Sequence, residues 1–170
     1  MPTDADADVT RSGVPLPPDR LADQLAVTRL QHAYADVITR RAFGELAELF
    51  LPDVAVHLDL VTVPPRTLVG PEQFVGFVEP AMARFDHFNF VVLSAVAELV
   101  ADDVARGRLF MCEVRHDPEQ GWTRAYGRYL DEFRRVDGRW WFAERRYRSM
   151  ARTGASEAVL PLPAPGPGSP

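Results

Sequence analysis

Apolar residues recur with two different periods along the chain, helical through most of the first half and alternating through the second. Val27, Leu30, Tyr34, Val37 and Ile38 are spaced as one face of a helix that runs to about Arg41. Pro17-Pro18-Asp19 ahead of Arg20-Leu21-Ala22 predicts its start, with Asp19 as N-cap. A second, short helix is expected over Phe43–Phe50, with Leu46, Leu49 and Phe50 turned inward and Leu51-Pro52-Asp53 ending it. Val54–Leu60 alternates and reads as a strand, in which His57 faces away from Val56 and Leu58. Thr62–Arg66 carries Pro64-Pro65 and is expected to be a loop or edge. Gly70-Pro71-Glu72 opens a third helix to about Phe85, which Pro80 is expected to bend or split.

From His87 onward the period is two. Strands are expected near His87–Leu99, Val104–His116, Trp122–Arg135 and Arg139–Met150, joined by turns at Ala101-Asp102-Asp103, Asp117–Gly121 and Val136-Asp137-Gly138. Helices followed by a run of long antiparallel strands make an α+β domain. The 170 residues suffice for one such domain over about 18–152. Nine of the 15 prolines lie in residues 1–18 or 161–170, so 1–17 and 153–170 are expected to be flexible tails.

Composition removes several kinds of chemistry. All 19 basic residues are Arg, which excludes lysine Schiff bases and a Walker phosphate loop. Cys112 is the one cysteine, leaving no intrachain disulfide and no Cys-based zinc site. The four His show no short ligand spacing, and there is no G-x-S-x-G elbow, so neither a metal nor a serine nucleophile is expected. Residues 101–152 hold 12 Arg against nine acids, but these alternate along strands as a solvated sheet face does, and nucleic acid is not the expected partner. With no secretory leader and no long apolar run, neither export nor a membrane is expected, and the location is taken as cytoplasmic.

Five segments in order carry a resemblance: Tyr34-Ala-Asp-Val-Ile38, Glu48-Leu-Phe-Leu-Pro-Asp53, Leu68-Val-Gly70, Asp86-His87-Phe88 and Val136-Asp-Gly-Arg-Trp-Trp-Phe142. Together, over about residues 19–150, they resemble the SnoaL-like branch of the nuclear transport factor 2-like superfamily, which includes scytalone dehydratase and the bile-acid 7α-dehydratases. The resemblance implies a cone-shaped, strongly bent, mostly antiparallel sheet wrapped around the N-terminal helices, a cystatin-like α+β barrel with a deep apolar pocket. It also implies acid/base chemistry without metal or organic cofactor, on a hydrophobic oxygenated ligand such as a polyketide- or steroid-like ring, and a homodimer.

On that resemblance His87 matches the dehydratase histidine that opens the strand after the third helix, and Tyr34 matches a pocket aromatic able to orient an oxygen. Thr39 falls where the dehydratases place the Asp that pairs with their histidine, and it cannot hold the charge that would raise an imidazole's basicity. His116, sharing a strand face with Cys112 and Val114, is the expected substitute. Asp36 does not replace the acid, because it lies on the opposite ridge with Arg29, His32 and Arg40. Thr39, Leu58, Tyr129, Arg145 and Tyr147 are expected to contact the ligand. Arg145 and Tyr147 are read as sharing an inward face with Trp141 and Ala143. Two functions follow: a dehydratase, isomerase or cyclase, or a non-catalytic binding or dimerisation module whose site has lost its acid at Thr39.

Overall fold

The computed structural model describes residues 16–154 and 158–159. Helix α1, Pro18–Arg40, begins with proline in its first turn and ends at Arg41, whose φ of 58° lets Ala42 N–H reach back to the Val37 carbonyl at 3.0 Å. The helix thus starts one residue before Asp19, and Pro17 rather than Asp19 is its N-cap. The expected second helix is a 3-10 segment, Phe43–Glu48. Strand β1, Phe50–Asp59, starts earlier than alternation suggested, because an irregular stretch at Leu51–Val54 hides its first residues. Arg66–Val69 form a further strand, β2, beyond the double proline. Helix α2, Gly70–Ala83, runs unbroken past Pro80. Gly70 has a φ of 79°, and a Cβ there would meet the Pro52 carbonyl oxygen at 2.9 Å.

Four long strands complete the domain: β3, His87–Leu99; β4, Val104–Asp117; β5, Gly121–Val136; and β6, Arg139–Thr153. The turn into β5 is held by the Asp117 carboxylate, which accepts the Glu119 N–H at 2.9 Å. The turn into β6 is an Asp137-Gly138 pair with positive φ at both residues, the conformation that matches hairpin twist. The sheet order is β2-β1-β6-β5-β4-β3, with a short β7, Ala158–Val159, added to β6. All pairs are antiparallel except β1 with β6. The sheet therefore continues into the expected C-terminal tail; residues 1–15, 155–157 and 160–170 of the two tails lie outside the described residues.

The sheet is curved and unclosed, and α1 lies in its concave side. Tyr34 of α1 shows this directly: its ring meets Phe50 of β1, Phe90 of β3, Tyr129 of β5 and Phe142 of β6. Polar anchors fix the helix along the same line, with Gln24 donating to the Ala97 carbonyl and Trp140 Nε1 donating to Asp23, both at 2.8 Å.

One register feature decides which β6 side chains point inward. Phe133 pairs with Phe142 and Glu132 with Glu144, leaving Ala143 as an extra residue; Gly127 pairs with Ser149 and Tyr126 with Ala151, leaving Met150 as another. Each bulge advances the alternation by one. The inward set is therefore Trp140 and Phe142, then Arg145, Tyr147 and Ser149, then Arg152. Trp141 and Ala143 do not share a face with Arg145 and Tyr147, as straight alternation had suggested.

Candidate functional site

A cavity of about 550 Å³ opens between the two helices and the concave face of the sheet. That size suits a small organic ligand. Its apolar part is built by Phe74, Phe77, Val78 and Met82 of α2, Ile38 of α1, Leu58 of β1, and Phe88 and Phe90 of β3. Three tyrosines form the floor. Tyr34 is only 2% exposed, and Tyr129 and Tyr147 are cross-strand partners with ring centroids 5.0 Å apart. Gly127 makes room for the last of these, since a Cβ at that position would lie 2.3 Å from the Tyr147 ring and 2.8 Å from its hydroxyl. Burial raises the pKa of all three phenols; Arg145 opposes it at Tyr34 and Tyr129, and Ser149 at Tyr147. They are neutral O–H donors across the physiological range.

The charged wall comes from the inward phase of β4 and the end of β6. Ala105, Gly107, Leu109 and Met111 fill the inner face of β4, and continuing that alternation brings Glu113 and Arg115 to the cavity. The cross-strand row Phe90, Glu113, Ala125 and Arg152 spans β3 to β6, with Phe88, Arg115 and Thr123 beside it. Ala125 has almost no side chain, so Glu113 and Arg152 face each other across it. Arg115 reaches the Glu113 carboxylate at 3.3 Å. The Glu113 side chain lines the cavity and keeps 22% of its surface exposed. Burial pushes this carboxyl above the usual carboxylate range, against the pull of Arg115 and Arg152. Burial also lowers the pKa of Arg115, helped by the neighbouring charges of Arg152 and Arg84 and opposed by Glu113.

Of the residues singled out from sequence, Tyr34, Leu58, Tyr129 and Tyr147 line the cavity together. His87 and His116 do not. Phe88 and Phe90 take the inward positions of β3, which turns His87 outward, exposed, with its ring tilted against Trp122 at a centroid distance of 5.1 Å. His116 pairs with His87 across the strands and sits on the same outer face, 5.0 Å from Trp122, with Nδ1 2.6 Å from Asp86. Its face-mates Cys112 and Val114 belong to the outward phase of β4, opposite Glu113 and Arg115. Thr39 is also outside the cavity; its hydroxyl accepts the Phe90 N–H at 3.0 Å. Arg145 lies behind the tyrosines, fully buried, in a bidentate pair with Asp131 at 2.7 and 2.9 Å. Its guanidinium rests 3.9 Å from the centre of the Tyr34 ring and 4.3 Å from those of Tyr129 and Phe142. Burial works against its charge, and Asp131 overrides that and holds it protonated.

Sequence reasoning missed Glu113, Arg115 and Arg152. A signal for the first two was present: Arg106 and Arg108 interleave with Ala105, Gly107 and Leu109, which sets odd positions inward. Arg152 was hidden by the bulge at Met150. His57 is on the outer face as expected, hydrogen-bonded to Thr67 and Glu144 at 2.9 and 2.8 Å. Among the described residues no cluster of three or more His, Cys, Asp or Glu could hold a metal, and no helix is long and apolar enough to cross a membrane.

A bent open sheet, two helices across its concave face and one cavity between them define an α+β ligand-pocket domain. The chain belongs to the SnoaL-like domain family, whose sequence model matches residues 19–146, within the nuclear transport factor 2-like superfamily. A candidate scytalone dehydratase from Novosphingobium aromaticivorans superposes with a TM-score of 0.73 at 21% identity, covering 86% of this chain and 97% of that one. Hexachlorocyclohexane dehydrochlorinase LinA-type3 from Novosphingobium barchaimii gives 0.70 at 23% identity, covering 85% and 98%. A protein with a cystatin-like fold from Caulobacter vibrioides gives 0.62 at 19%, covering 74% and 87%. Likeness at these identities is a likeness of fold. No curated protein matches the chain in sequence.

Proposed function

We propose that the protein is a cofactor-independent acid/base enzyme of the lyase or isomerase type, acting on a hydrophobic oxygenated small molecule, with Glu113 moving the proton. The observation that carries this reading is a carboxyl of raised pKa on the wall of an apolar cavity floored by three phenols. A carboxylate so tuned is a stronger base than an ordinary one. It would take a proton from the carbon beside a carbonyl, and the electron pair would pass to the carbonyl oxygen. A phenol of Tyr34, Tyr129 or Tyr147 would donate a hydrogen bond to the enolate so formed. An isomerase would return the proton to another carbon, and a lyase would deliver it to a departing hydroxyl. The names of the dehydratase and dehydrochlorinase neighbours support an elimination by analogy of fold. The reading includes a cytoplasmic homodimer; its support is the one buried thiol and the exposed Leu93, Val96 and Trp122.

The test follows hydrogen–deuterium exchange at the carbon beside the carbonyl of 2-tetralone, a two-ring ketone, by NMR. The wild type is expected to accelerate exchange, with a rate that rises with pH as Glu113 ionises, above the usual carboxylate range. Glu113→Gln should lower the rate about 10²- to 10⁴-fold and abolish that rise, while His87→Ala leaves both unchanged. Wild-type exchange in Glu113→Gln, or its loss in His87→Ala, refutes the assignment. The competing reading, a non-catalytic binder, is favoured by the absence of histidine from the cavity; it predicts tetralone binding without exchange.

A further inference from the structure

Charges on the cavity wall do not balance. Among the described residues Glu113 is the one carboxylate facing Arg115 and Arg152, and it meets Arg115 through a single 3.3 Å contact. Arg84, at the mouth, has its own partner in Asp117 at 3.7 Å. Each guanidinium offers five N–H donors, and the Nε–H groups of both Arg115 and Arg152 are buried without an acceptor. Donors and positive charge thus exceed acceptors and negative charge at this wall alone.

Placement sharpens the point. Arg152 and Arg115 approach from different strands over the low ground of Ala125 and Thr123, and Phe88 and Phe90 hold the other side of the same two rows. A planar ring against those phenylalanines would direct a substituent toward the guanidiniums. The rest of the lining is hydrocarbon apart from the tyrosine floor, Gln120, Thr123, Thr153 and the already partnered Arg84 at the mouth, so Arg115 and Arg152 are the cations an anion would meet inside.

We propose that the ligand is an anion, a ring acid whose carboxylate is held between Arg115 and Arg152 while its rings lie on Phe88 and Phe90. Planar guanidinium forks match a carboxylate in shape, and partial burial strengthens the pairing. Arg115 is already crowded by Arg152 and Arg84, and a bound anion relieves that repulsion. This rests on reading the cavity as a substrate site, and it narrows the substrate to acids.

The experiment compares 1-naphthoate with 1-naphthamide, its neutral isostere, by titration calorimetry on the full chain. The wild type should bind the acid at least about tenfold more tightly than the amide, the effect expected of a charge-assisted hydrogen bond. Arg152→Gln should remove most of that preference without weakening the amide, and Arg152→Lys, which keeps the charge, should retain a good part of it. Equal or tighter binding of the amide, binding of neither compound, or an undiminished preference in Arg152→Gln overturns the proposal. Acid-selective binding with no Glu113-dependent exchange would instead refute the catalytic reading and leave this one standing. Tetralone exchange with no acid preference would do the reverse.

Discussion

The hydroxyl of Thr39 serves the backbone rather than the cavity. Strand β3 is an edge of the sheet, so alternate N–H groups along it need partners from outside the ladder. Thr39, near the end of α1, accepts the one from Phe90. Thr39→Val keeps the shape and deletes the acceptor, and should cost about 1–2 kcal/mol in denaturant unfolding. Tetralone exchange per folded molecule should be unchanged, because nothing in the cavity has moved; a large loss would show that Thr39 acts on the ligand. The same residue shows how far single positions were legible. Its place beside the ligand was implied only by the resemblance, whereas Tyr34 and Leu58 were readable from spacing as lying on inward phases. Which face of β3 carries the site was not. His87 and Phe88 are neighbours, and only the inward demand of Phe88 and Phe90 decides that the imidazole points out.

At the scale of elements, alternation is dependable until a bulge intervenes. Strands β4 and β5 pair with each other without a register shift, and their phase was open to reading from the interleaved arginines. Strand β6 has two extra residues, and a bulge is a relation between two strands that neither sequence states alone. The β1–β2 pairing was missed for a like reason: Pro64-Pro65 marks a break but does not say that Arg66–Val69 returns to β1. Gly127 is the readable counterpart of this geometry, a glycine inside a strand that marks a close approach. Here the approaching group is the Tyr147 ring. Gly127→Ala puts a methyl group into that ring, so either Tyr147 leaves its place on the floor or the strands part. The expected cost is about 1–3 kcal/mol of stability, as for overpacking elsewhere. A fall in tetralone exchange should exceed any change in folded fraction, and wild-type exchange in this variant would mean that the Tyr147 position is irrelevant to turnover.

At the scale of the whole molecule, the fold is organised around a charge pair that the cavity never touches. Asp131 on β5 and Arg145 on β6 are both fully buried, and the Arg145 guanidinium is packed against rings from α1, β5 and β6. Desolvating two charges is costly, and their mutual attraction offsets that only while both are present. Arg145→Met should therefore cost about 3–5 kcal/mol, and Asp131→Leu a similar amount, since each leaves one charge stranded. That is a large share of the roughly 5–15 kcal/mol that holds a domain together. The double variant strands nothing, and its stability should return to within about 1–2 kcal/mol of wild type, or rise above it. Chemical denaturation of the four proteins gives the coupling energy directly. Recovered stability need not mean recovered activity. The cation supports Tyr34 from behind and opposes the rise in its pKa and in that of Tyr129, so a folded double variant should be a weaker catalyst of tetralone exchange. If the double variant is as unstable as either single one, Arg145 is held by its aromatic cage and not by Asp131. If it is both stable and fully active, the phenols work without the charge behind them.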